Sequence, residues 1–126
     1  MSNDAKKTAE VHSAMFKSAG MSKPGLSVVP VLSDAMYPTV KPGDGVLVDT
    51  TISEYVGEGL YVLDTDAGPQ IRRLTARVKA GVLVTCDNTI YPPDTTNRDR
   101  LEEIILGKVV ALGVVEDRKL LEHWSN

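Results

Sequence analysis

The stretch VPVLSDAMYPTVKPGDGVLVD, residues 29–49, sets a turn carrying Pro38, Pro42, Gly43 and Gly45 between two apolar runs. A turn built this way is suited to present a nucleophile, and its centre reads Ser33-Asp34-Ala35-Met36. This one presents an alanine, Ala35, which has no heteroatom with which to attack. The hydroxyls of Ser33 and Thr39 sit elsewhere on the turn, and nothing in the spacing pairs them with the amines of Lys41 or Lys79. Nucleophilic catalysis needs nucleophile and base within hydrogen-bond reach, so this reading finds no hydrolase built from those groups. The single cysteine, Cys86, ends the strand-like run VLVTC and reads as a packed thiol that forms no intrachain disulfide. His12 and His123 each lack a neighbouring second histidine and read as surface residues. No metal site and no cofactor motif stands out.

One basic cluster is visible, Arg72, Arg73, Arg77 and Lys79. Its plain reading is a solvated face countering Asp64 and Asp66. The sharper reading makes Arg73, Arg77 and Lys79 a contact site for an acidic partner or nucleic acid. A net charge of −3 over 126 residues speaks against direct DNA binding by the whole domain, because phosphate-gripping proteins carry a basic excess.

The elements that must position these residues are mainly β. Short apolar runs at 26–32, 45–49, 59–64, 70–74 and 77–85, and the long run 104–115, are separated by turns such as Pro42-Gly43-Asp44 and Asp66-Ala67-Gly68-Pro69. This rhythm predicts one compact, largely antiparallel, partly closed sheet. Residues 86–100 are expected to form a surface loop packed down by Ile90 and Tyr91, and 116–126 a final strand or short helix. Residues 1–25 are expected to be an arm or linker, with one or two helical turns over 4–17, and 26–126 the single domain. No stretch has the length of a membrane span and the N-terminus lacks the apolar core of a signal peptide, so a cytoplasmic location is expected.

Residues 27–115 resemble the C-terminal domain of LexA-like and phage CI-type repressors, members of the S24 serine peptidases, with the UmuD-type polymerase accessory proteins as relatives. The resemblance rests on four motifs in order: Ser33-Asp34-Ala35-Met36-Tyr37-Pro38-Thr39 with the following Gly43-Asp44 turn; Ile71-Arg72-Arg73-Leu74; Cys86-Asp87-Asn88 with Tyr91-Pro92; and Ile104-Ile105-Leu106-Gly107-Lys108-Val109-Val110. It implies a LexA/signal-peptidase-like fold, and it implies that Ala35 and Arg72 occupy the positions of a Ser–Lys dyad. Arginine stays protonated at working pH and cannot serve as a base. On this reading the scaffold persists in Ser33, Asp34, Met36, Pro38, Thr39, Gly43 and Asp44, while the chemistry is gone. Ser33 itself stands where the family motif opens on glycine.

What the resemblance leaves is association. Family domains pair through strands near the C-terminus, which makes Val110, Leu112, Val114 and Leu120 interface candidates on an exposed apolar edge. The chain is thus expected to be a non-catalytic module of phage or SOS-type transcriptional control, acting as a homodimer or on a LexA/CI-like repressor, whether as a repressor domain or as a stand-alone antirepressor. The alternatives are a UmuD-like accessory of a polymerase or recombinase filament, or a self-cleaving peptidase trapped by substitution. The dipeptide Ala19-Gly20 matches a family cleavage pair but reads as a helix end.

Overall fold

A computed structural model describes residues 25–79 and 81–112. The proposed N-terminal arm, the interface candidates Val114 and Leu120, His12, His123 and the tail 116–126 lie outside the described residues. Among these residues seven strands and one helix follow in chain order: β1 (Leu26–Pro30), β2 (Gly45–Asp49), β3 (Gly59–Thr65), β4 (Gly68–Ala76), β5 (Val82–Thr85), β6 (Asp94–Thr96), α1 (Arg98–Ile104) and β7 (Ile105–Ala111). They make one antiparallel sheet in the order β1-β2-β7-β3-β4-β5-β6. The mainly β antiparallel architecture read from the sequence is the one found.

Among the described residues the sheet rolls but does not close, leaving β1 and β6 as edges. In a flat sheet β1 and β4, four positions apart, would lie about 19 Å from each other at ~4.8 Å per strand. Instead Val29 of β1 and Ile71 of β4 line the same small cavity and share one core with Val46, Val48, Leu60, Val62 and Leu106. Val31, Met36 and Val40, from the segment joining β1 to β2, fill the inside of the roll. The opposite face is covered by α1, whose Leu101 is fully buried against Tyr61, Leu63, Leu74, Val82 and Ile105. With both faces covered, β3 reads as the unbroken apolar run Leu60 to Leu63 rather than as an alternation.

Three expectations need correction. Residues 86–100 are not all loop, because they contain β6 and the start of α1. Asn97 caps the helix by accepting the Arg100 N–H at 2.8 Å, and Leu101 and Ile104 share its inner side. A helix this short holds only because it is docked. Ile90 does not pack that segment down, since it is 75% exposed. Finally, β7 is an inner strand, hydrogen-bonded between β2 and β3, so Ile105–Ala111 is no sheet edge, and Ile104 belongs to α1. Gly107 permits this insertion, since a Cβ there would stand 2.4 Å from Val48 Cγ1 and 2.8 Å from the Asp49 carbonyl oxygen.

Candidate functional site

The segment between β1 and β2 is a closed loop. Val31 N–H donates to the Asp44 carbonyl at 2.8 Å and Gly43 N–H donates back to the Val31 carbonyl at 3.0 Å, sealing its base. Gly43 takes φ of 96°, a left-handed value suited to glycine. Inside, Tyr37 N–H donates to the Asp34 carbonyl at 3.1 Å, Val40 N–H to the Met36 carbonyl at 3.1 Å, and Lys41 N–H to the Asp44 carboxylate at 3.0 Å. The Tyr37–Pro38 peptide is cis. Ala35 and Met36 are buried, whereas Ser33, Asp34, Pro38 and Thr39 are exposed, and Asp44 is half-buried. The Ser33 hydroxyl accepts the Ala35 N–H at 3.3 Å.

A second loop, following β5, clasps the first. Asn88 donates its backbone N–H to the Ala35 carbonyl at 2.9 Å and its side-chain amide to the Asp34 carbonyl at 3.1 Å. The Tyr91 hydroxyl donates to the Asp34 carboxylate at 2.6 Å. The Thr39 hydroxyl donates to Asp87, and Arg73 of β4 grips the same carboxylate through Nε at 2.8 Å and Nη2 at 2.9 Å. The Arg73 guanidinium, helped by Thr39, holds the Asp87 carboxyl below the usual carboxylate range, and Asp87 in turn raises the guanidinium's own pKa. Accepting the Tyr91 proton's hydrogen bond, Asp34 pushes that phenol above the ordinary tyrosine value. The first and third sequence motifs are thus joined side by side, with one residue of the second, Arg73, locked between them.

Arg73 is therefore an internal tie to Asp87, not to Asp64 or Asp66. Arg77 and Lys79 are exposed. Arg72 is half-buried and donates only to neutral acceptors, the Ile71 carbonyl at 2.7 Å and the Gln70 side-chain oxygen at 3.4 Å. It lines a groove of about 410 Å³ beside α1, together with Leu63, Val84, Cys86, Tyr91 and Thr95. Cys86 is half-buried, packed against the inner core on one side and opening on this groove on the other. Among the interface candidates, Val110 is 52% and Leu112 43% exposed, near a half-buried apolar cluster of Leu26, Val28 and Ala111 around Leu47.

Asp87, Asn88 and Tyr91 were visible in the sequence as a motif, yet their work as a clasp was not, since their partners lie 48 to 57 residues away. Among the described residues no His, Cys, Asp and Glu side chains gather in a metal-binding group, and no helix is long and apolar enough to cross a membrane. Chemically the arrangement offers a rigid turn, an alanine at its centre and a permanent cation in the neighbouring groove.

A rolled antiparallel sheet with a clasped turn of this type defines the class. The chain belongs to the Peptidase S24-like family, whose model matches residues 2–110. It is similar to the 26 kDa repressor protein of Escherichia phage HK022, at 30% identity over 92 residues, which cover 72% of this chain and 39% of that protein. The chain thus spans about two-fifths of that relative's length.

Proposed function

We propose that this chain is a non-catalytic S24-like module that acts by association in phage or SOS-type transcriptional control, pairing with itself or with an intact repressor. The observation that carries the reading is the pair Ala35 and Arg72 at the positions where the family resemblance puts nucleophile and base, on a turn whose hydrogen-bonded clasp is intact. The similarity to a phage repressor favours this setting over a polymerase accessory role. The exposed Val110 and Leu112 supply an apolar surface for pairing. As a partner of a repressor, such a module acts as an antirepressor in the cytoplasm, without gripping DNA itself.

Sedimentation of the full chain tests the reading. It should show dimer at micromolar concentration and monomer for the V110E/L112E variant, and a co-purified S24-type repressor should remain uncleaved at alkaline pH. A chain that is monomeric at every concentration and captures no repressor, or one that cleaves it, would end the proposal.

A further inference from the structure

In the groove beside α1, Arg72 has no ion-pair partner among the described residues. Two ion pairs occur among the described residues, Arg73 with Asp87 and Arg100 with Glu103, and neither includes Arg72. Arg100 also lines the groove but is engaged by Glu103 at 3.0 Å. The acidic side chain lining it, Asp94, accepts the Thr95 N–H at 2.7 Å. Asp34 accepts from Tyr91. Arg72 spends two donor atoms on neutral oxygens, although a guanidinium carries five N–H groups in a fork that matches a carboxylate. Around it the groove offers an apolar floor in Leu63 and Val84 and hydroxyls from Tyr91 and Thr95. Tyr91, 37% exposed, lines the groove, and Ile90, 75% exposed, precedes it on the loop that the clasp holds in place. Apolar and aromatic groups presented on a rigid loop beside an available guanidinium have the composition of a recognition hot spot.

We infer that this groove is a binding site for an extended peptide segment of a partner protein, with an acidic side chain of the peptide on Arg72 and a neighbouring apolar side chain on Ile90 and Tyr91. The inference rests on the non-catalytic association reading and names the partner chemistry at this site. The permanent charge of arginine is what selects the acid, and a neutral base at the same place would not.

The test is fluorescence anisotropy of the full chain with two labelled peptides, Ala-Val-Val-Glu-Val-Ala and its Gln counterpart. A charge-assisted contact predicts about tenfold tighter binding of the Glu peptide. The R72Q variant should bring the two within about twofold, R72K should retain a preference, and the preference should fall with added salt. Equal binding of both peptides by the wild type, no binding at millimolar peptide, or a preference that survives in R72Q would overturn the inference. So would free glutarate competing as well as the peptide does, since that result assigns a small-molecule anion site. The V110E/L112E variant keeps the preference if the groove acts independently of pairing. A monomeric wild-type chain that still selects the Glu peptide would remove the dimer reading alone.

Discussion

Replacing Asp87 by asparagine keeps the size of the side chain and removes the charge on which three hydrogen bonds converge. Two come from Arg73 and one from Thr39. A hydrogen bond to a charged group contributes about 1.5–3 kcal/mol, but an amide oxygen retains part of the set. The Arg73 side chain is 33% exposed, so water recovers more, while the Asp87 side chain is only 13% exposed. The net loss is therefore about 2 kcal/mol, which lowers the melting temperature of a chain of this size by roughly 8 °C. The loss also depends on pH. The folded pKa of Asp87 is depressed, so its contribution is present above the unfolded carboxylate value near ~3.9 and disappears as pH falls through the folded value. Thermal melts followed by circular dichroism at pH 7 and at pH 3 should show the gap between wild type and D87N at neutral pH and its shrinkage in acid. In an R73Q background, D87N should cost less than in the wild type, because the two residues share one interaction. A melting shift under about 2 °C at pH 7, or a gap of constant size down to pH 3, would show that the bidentate pair does not hold the turn.

Three further outcomes are expected. Gly107→Ala forces a methyl group against Val48 and the Asp49 backbone and should cost about 2–3 kcal/mol, read as a lower urea midpoint with unchanged slope. Tyr61→Phe removes a hydroxyl that donates to the Gly57 carbonyl at 2.7 Å and accepts the Val56 N–H at 3.0 Å, and should cost about 1–2 kcal/mol with faster amide exchange at Val56. Ala35→Ser alone should be labelled only slowly by a fluorophosphonate, because an arginine at position 72 cannot take the proton. The A35S/R72K pair should label roughly a hundredfold faster than A35S at alkaline pH, and equal rates would refute the dyad assignment.

Much of the sheet was legible because its signals are local. The Pro42-Gly43-Asp44 turn delimits β2 at Gly45–Asp49 as read, and Asp66-Ala67 closes the β3–β4 hairpin where expected. Strand order was not legible, because nothing in the apolar run around 104–115 says that it inserts between β2 and β3. Helix α1 escaped notice since seven residues carry too few turns for a period to emerge, and its stability comes from where Leu101 docks. At the site, the motif residues could be named from the sequence, while the assignment of Arg73 to Asp87 required the fold to bring β4 beside a loop 14 residues further on.

The clasp also divides the site's labour. Asp34, Thr39, Asp87, Asn88, Tyr91 and Arg73 supply the side chains that tie the two loops together, and position 35 contributes only its backbone carbonyl. Arg72 bonds only to its own strand. The two side chains that the family resemblance would pair as nucleophile and base therefore take no part in tying the loops together. The shape that this face presents is thus set by the clasp residues, and the chemical character of the groove beside it by Arg72, two properties that different side chains control.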